Sequence, residues 1–236
     1  MIMKKVAHIK SLHGLDALLS SDEIESIRVS FFEMQHLYHS ATREISTKLE
    51  ILDDEFRFIH RRNPIHNMQS RIKSIESIFE KLNRKGLEIS IEAAKEHLTD
   101  IAGIRVVCYY IDDIYNVAEM LKSQDDITLI RETDYIKQPK PNGYRSLHLV
   151  VKVPVFFSDR KELVPVEIQI RTMAMDFWAS LEHQLRYKTM EEVPPSVSKE
   201  LLECAEKIAY TDLKMQEIYK TLMKYNCDTE FDLESI

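Results

Sequence analysis

Four short stretches of the chain place charged, hydroxyl and aromatic side chains at spacings that chemistry could use. The first holds Arg71, Lys73, Ser77 and Lys81. On a helix, Lys73, Ser77 and Lys81 fall at i, i+4 and i+8, in one stripe on a single face. Two ammonium groups flanking a hydroxyl suit a polyphosphate chain, and the planar guanidinium of Arg71, off that stripe, can stack on a base. A solvent-facing polar stripe has the same spacing. The second stretch, Asp100-Ile-Ala-Gly-Ile-Arg105, leads into a β-rich segment. Its aspartate is either a turn residue bonding its own backbone or one half of a carboxylate pair.

The third stretch, Val166-Glu-Ile-Gln-Ile-Arg171, alternates strictly. On a strand Val166, Ile168 and Ile170 point one way, and Glu167, Gln169 and Arg171 the other. An edge or solvent-facing strand accounts for that row; so does a cleft in which Glu167 is a metal ligand or base and Gln169 a positioning amide. The fourth, Lys140-Pro-Asn-Gly-Tyr-Arg-Ser-Leu-His148, has an Asn-Gly turn with Tyr144 at its exit. Tyr144 is either locally packed or a stacking platform for a base, and Asn142 can read a purine edge. Each stretch is ambiguous alone. Together they supply a triphosphate-binding stripe, two separated carboxylates for a divalent metal and a second, aromatic-lined nucleotide pocket, the equipment of a two-nucleotide transferase.

The elements that must position these groups follow from periodicity. Ser20-Ser-Asp-Glu23 reads as a capping box. After it Phe31, Met34, Tyr38, Ala41, Ile45, Leu49, Leu52 and Phe56 recur at three- and four-residue steps, predicting one long amphipathic helix to about residue 60. Asn63-Pro64 predicts a second helix start, with Ile65, Met68, Ile72, Ile75, Phe79 and Leu82 as its buried stripe and Gly86 as its stop. A short helix is expected over 91–97, strands over 104–111, 127–136, 146–153 and 163–171, and a helix over 113–122. Helices over 172–188 and 196–225, separated by Pro194-Pro195, close the chain. The expected fold is α/β or α+β: a mixed sheet of four or five strands flanked by N- and C-terminal helices, in a single domain over 21–226 with a flexible 1–20 and a tail at 227–236.

Composition bounds the partners. The net charge of −7 argues against a general nucleic-acid coat protein. Yet 57–85 holds eight Arg or Lys against Glu76 and Glu80, a local excess of +6 that suggests a compact anionic ligand. A solvated basic helix face is the alternative. Cys108, Cys204 and Cys227 lack metal or disulfide spacing and suit a reducing compartment. No secretory or membrane-spanning run is present, so a cytoplasmic location is expected. His8 and His13 are a close pair that chance explains.

These same four stretches resemble the synthetase domain of the RelA/SpoT family, and Phe177-Trp-Ala-Ser-Leu-Glu-His-Gln-Leu-Arg-Tyr-Lys188 is similar to the family segment that follows. The likeness spans most of 20–225 in the right order and is strongest to stand-alone small alarmone synthetases of the RelP type. It implies a nucleotidyltransferase-like fold and Mg²⁺-dependent transfer of pyrophosphate from ATP to the 3′-hydroxyl of GDP or GTP, giving (p)ppGpp. It also implies roles. Arg71 and Arg105 would sandwich adenine, while Lys73, Ser77 and Lys81 hold the ATP phosphates. Asp100 and Glu167 would bind Mg²⁺, with Glu167 near the acceptor hydroxyl and Gln169 orienting that acceptor. Tyr144 would stack on guanine, with Lys140, Asn142, His148 and the Ala179 backbone completing the GDP or GTP site. No His is followed by Asp and no room is left for a hydrolase domain, so a synthetase alone is expected.

Two other functions share some of these features. A nucleotidyltransferase acting on RNA would release pyrophosphate rather than AMP, and the Tyr144 loop disfavours it. A non-catalytic nucleotide or RNA sensor would have no need of the Asp100–Glu167 pair. The Arg57–Arg62 block leaves room for an RNA regulator, as product feedback by (p)ppGpp does for the nucleotide sites. Apolar surface on the two terminal helices predicts a homo-oligomer, a tetramer by the resemblance, although packing within one subunit uses the same residues.

Overall fold

A computed structural model describes residues 21–188 and 194–233. His8, His13 and Ser20 of the capping box lie outside them, as does the Cys227 side chain. In chain order the elements are α1 (Ser21–His60), β1 (Ile65–Ile72), α2 (Ile75–Arg84), α3 (Ile91–His97), β2 (Ala102–Cys108), α4 (Ile111–Lys122), β3 (Thr128–Asp134), β4 (Leu147–Phe156), β5 (Lys161–Thr172), α5 (Met173–Lys188) and α6 (Pro195–Leu233). The strands form one sheet in the order β1-β2-β5-β4-β3. The β2–β5 pair is parallel and the other three are antiparallel.

One face of this sheet is apolar. Ile104 and Val106 of β2, Val166, Ile168 and Ile170 of β5, and Leu147, Leu149 and Val151 of β4 are all buried there. Against it lies the stripe of α1 that the sequence predicts, from Met34 through Tyr38, Ala41, Ile45 and Leu49, together with Ile114, Val117 and Leu121 of α4. Fully burying the valine, leucine, isoleucine and methionine side chains among these contributes about 1.5–3 kcal/mol each. That packing fixes the sheet, and the opposite face is left for polar groups.

The structure corrects the sequence reading at 65–72. The expected helix starting at Asn63-Pro64 is instead an edge strand, β1, paired with β2. The ladder shifts register between Ile65 and Asn67, so Ile65 opposes Cys108 while Met68 opposes Val106. This bulge brings residues three apart onto the same face and so imitates a helical period. The helix begins later, at the N-cap Ser74, whose hydroxyl accepts from the Ser77 N–H at 3.3 Å. Its end is as expected: Gly86 is left-handed at φ 68° and the Leu87 N–H reaches the Leu82 carbonyl at 3.0 Å. Lys73, Ser77 and Lys81 therefore do not share one helical face, because Lys73 lies in the strand-to-helix turn and Arg71 lies on β1.

Candidate active site

Strand register gathers the site on the polar face. Gln69, Arg105, Gln169 and His148 form one rung across β1, β2, β5 and β4, and Arg71, Gly103 and Glu167 form the next. Arg71 and Arg105 thus project from adjacent strands on the same side. They line a hollow of about 80 Å³ with Gln69, Ser70, Gly103 and Gln169. Gly103 gives this hollow a flat floor: a methyl group there would lie 3.5 Å from Arg71 Nε, which crosses directly above it.

At the mouth of the hollow the Lys73 N–H donates to the Ile101 carbonyl at 2.8 Å, tying the exit of β1 to the entry of β2. Lys73 Nζ and Lys81 Nζ converge on Asp100 Oδ2 at 2.7 and 2.5 Å. Burial works to raise the Asp100 carboxyl, but these two ammonium groups outweigh it and hold it below the usual carboxylate range. Ser77 is exposed one turn before Lys81, near Ser74. The turn thus restores by tertiary folding the lysine convergence that the helical stripe had implied.

Glu167 sits beside this cluster. Gln169 Nε2 donates to its Oε2 at 2.9 Å, and His148 Nδ1 stands 3.7 Å from its Oε1. Burial pushes Glu167 upward, yet His148 and Gln169 more than offset that and keep it below its ordinary value, while the nearby Asp100 charge opposes them. Tyr144 completes the group, with its hydroxyl 2.9 Å from His148 Nε2. Burial raises the Tyr144 phenol. Lys140 Nζ lies 4.7 Å from the centroids of both Tyr144 and Tyr135, and Tyr135 meets His148 edge-on at 5.1 Å.

The loop carrying Tyr144 is held from below by α6. Gly143, at φ 89°, packs so closely that a Cβ would come within 2.5 Å of Ala205 Cβ. Arg145 Nη1 donates to the Gly143 carbonyl at 3.0 Å. Asn142 accepts from the Tyr144 N–H at 3.2 Å and donates to Glu182 of α5 at 3.1 Å. Ala179 of α5 is buried in a small cluster with Trp178 and Ala205, against which Tyr144 packs. Lys140, Asn142, His148 and Ala179 are thus each linked by contact to Tyr144 or to the cluster it packs against.

Among the described residues, three buried side-chain polar atoms lack a hydrogen-bond partner: Asp100 Oδ1, Arg105 Nε and Arg171 Nε. All three belong to this site. Unsatisfied buried polar atoms are rare in folded proteins and call for a ligand or water to complete them. Among the described residues no group of three or more His, Cys, Asp or Glu is placed to hold a metal. Asp100 and Glu167 with the free Oδ1 are instead the kind of two-carboxylate donor set that suits Mg²⁺ when substrate phosphates and water supply the other oxygens.

Two residues enter that the sequence reading gave no role. Arg171, only 4% exposed, donates through Nη2 to Gln169 Oε1 at 2.7 Å and to Tyr144 Oη at 2.9 Å. Asp176 lies 3.3 Å from Arg171 Nη1 and 3.5 Å from Arg105 Nη1. The visible signal was the third polar position in the Glu167, Gln169, Arg171 alternation. Conversely, Arg62 leaves the basic block: it forms a two-pronged pair with the fully buried Asp113 and donates to Tyr219.

The chain is similar in sequence and fold to known proteins. The family described as "Region found in RelA / SpoT proteins" matches residues 70–192. The GTP pyrophosphokinase YwaC of Bacillus subtilis is 47% identical over 199 residues, covering 84% of this chain and 95% of that protein. The crystal structure of small alarmone synthetase 2 from B. subtilis superposes with a TM-score of 0.74 at 46% identity, over 81% of this chain and 98% of that one. Small alarmone synthetase 1 from the same organism, bound to its product pppGpp, gives 0.72 at 38% identity, over 78% and 93%.

Proposed function

The chain belongs to the RelA/SpoT family, and we propose that it transfers the β,γ-pyrophosphate of ATP to the 3′-hydroxyl of GDP or GTP, giving ppGpp or pppGpp and AMP. It is a GTP diphosphokinase, an alarmone synthetase. The observation that carries the assignment of residues is the gathering of every unpaired buried polar side-chain atom among the described residues on one polar sheet face, beside the Asp100–Glu167 pair.

In this reading Arg71 and Arg105 take the adenine in the hollow between β1 and β2, and Lys73, Ser77 and Lys81 hold the phosphates. Tyr144 stacks on guanine, with Lys140, Asn142, His148 and the Ala179 backbone around it. Gln169 orients the acceptor ribose, and Glu167, kept ionised by its neighbours, takes the proton of the 3′-hydroxyl. The bond from O3′ to the β-phosphorus forms as the bridge to the α-phosphorus breaks, and AMP leaves with the bridging oxygen. Asp100, through its free Oδ1, and Glu167 would hold Mg²⁺, which when bound neutralises charge on the transferring phosphoryl group. Aligning two bound nucleotides in this way can supply about 7–11 kcal/mol of the barrier reduction. Glu167→Ala tests the assignment: nucleotide binding by calorimetry should persist while turnover is lost. A variant whose main defect is ATP affinity would contradict the role given to Glu167.

The remaining features fit a cytoplasmic homotetramer, which we also propose. Among the described residues no helix is long and apolar enough to cross a membrane. Phe32, Ile51, Phe58 and Ile59 of α1 and Tyr210, Leu213, Ile218 and Leu222 of α6 remain exposed in the single subunit. Exposed apolar side chains in this number suit a surface that a partner covers.

A further inference from the structure

We infer that Arg171 is a positioning residue for the transfer, locking the guanine platform, the acceptor amide and the catalytic carboxylate into one ring of contacts before either nucleotide arrives. The inference rests on the roles proposed above for Tyr144, Gln169 and Glu167.

The ring runs Glu167, Gln169, Arg171, Tyr144, His148 and back to Glu167. Arg171 gives it a direction, because a guanidinium only donates. Gln169 must turn its oxygen to Arg171, which leaves its amide nitrogen to donate to Glu167 at 2.9 Å. The Tyr144 oxygen likewise accepts from Arg171, so its own proton is free for His148 Nε2 at 2.9 Å. The imidazole proton is thereby assigned to Nδ1, on the side that stands 3.7 Å from Glu167 Oε1. Without Arg171 both choices become degenerate. The Gln169 amide could then turn its oxygen toward the carboxylate, and the phenol could accept from His148 rather than donate to it.

Arg171 also reaches the donor side. Asp176 bridges it to Arg105, one of the two arginines of the adenine hollow. One buried cation thus touches the frameworks of both nucleotide sites. Stability alone is a poor explanation for it. Burying a guanidinium is costly, and burial together with the charges of Arg105 and Arg71 works against it. Its Nε is also left unpaired. What the guanidinium adds is its fork, which a lysine cannot reproduce.

The test compares Arg171→Lys, Tyr144→Phe and the double variant in the full chain, reading kcat, KM for ATP and GDP, and Tm. Tyr144→Phe keeps the stacking ring and removes only the hydroxyl that Arg171 holds. Each single variant is expected to lower kcat about 10- to 100-fold, the loss of a hydrogen bond to a charged group, with both KM values within about threefold. The double variant should be no slower than the slower single, because both break the same ring. Wild-type kcat in either single variant overturns the inference, as do additive losses. If Arg171→Lys does not fold, Tyr144→Phe decides alone by the same split between kcat and KM. A wild-type protein that makes no transfer product would instead overturn the function itself, so the two failures are distinguishable.

Discussion

Alanine at Gly143 should destabilise the protein by about 2–5 kcal/mol and weaken the acceptor site specifically. Two contributions set the size. The residue sits at φ 89°, where an L side chain costs about 1–2 kcal/mol. The new methyl would also stand 2.5 Å from Ala205 Cβ and 3.2 Å from Leu202 Cδ1, and overpacking of this kind costs about 1–3 kcal/mol. Ala205 Cβ is fixed to the α6 backbone, so either the helix or the loop must move. Gly86 is the internal control. It has φ 68° but nothing within 4 Å of the added methyl, so only the backbone cost of about 1–2 kcal/mol applies. Gly103→Ala, in ordinary contact at 3.5 Å, should fold well and show its effect in KM for ATP, through Arg71. Thermal unfolding of the three variants should rank Gly143→Ala lowest, by about 2–4 °C for each kcal/mol. Because the same loop carries Asn142 and Tyr144, its KM for GDP should rise while KM for ATP holds. Equal Tm values for Gly143→Ala and Gly86→Ala would refute the close packing of the loop on α6.

Two further outcomes are expected. Burial raises the Asp212 carboxyl, only partly offset by the Thr172 hydroxyl at 2.6 Å, so ionisation of this group disfavours the folded state. The associated stability is present below the ordinary carboxylate pKa and lost as pH rises through the raised one; Asp212→Asn should therefore increase Tm at neutral pH and give no gain in acid. A pH-independent decrease would contradict this. For assembly, Leu213→Glu with Ile218→Glu on the exposed face of α6 should reduce the mass measured by light scattering from that of a tetramer; a wild-type protein already of monomer mass would refute assembly through the terminal helices.

How much of this was legible depended on whether a pattern was local. The α1 stripe and the β5 alternation were readable because burial on one face repeats at the period of the backbone itself, and both appear as expected. β1 was not readable, because its bulge spaces Ile65 and Met68 as a helix would. That error changed the route of Lys73 to the site but not its destination, since Asp100 collects it with Lys81. The roles of Arg171 and Asp176 depend on which strands are neighbours and in what register, and on where α5 begins. One chain of letters carries no such information. The resemblance, by contrast, named its motif positions residue by residue, and of these Arg71, Arg105, Gln169, His148 and Glu167 stand in two adjacent rungs of the sheet.

The most direct measurement incubates the protein with Mg²⁺, GDP or GTP, and ATP labelled either at the α- or at the γ-phosphate, then separates the nucleotides. Pyrophosphoryl transfer puts γ-label in a guanosine tetra- or pentaphosphate and α-label in an equimolar amount of AMP. Release of free pyrophosphate with α-label joined to an acceptor, or no transfer while both nucleotides bind, would contradict it.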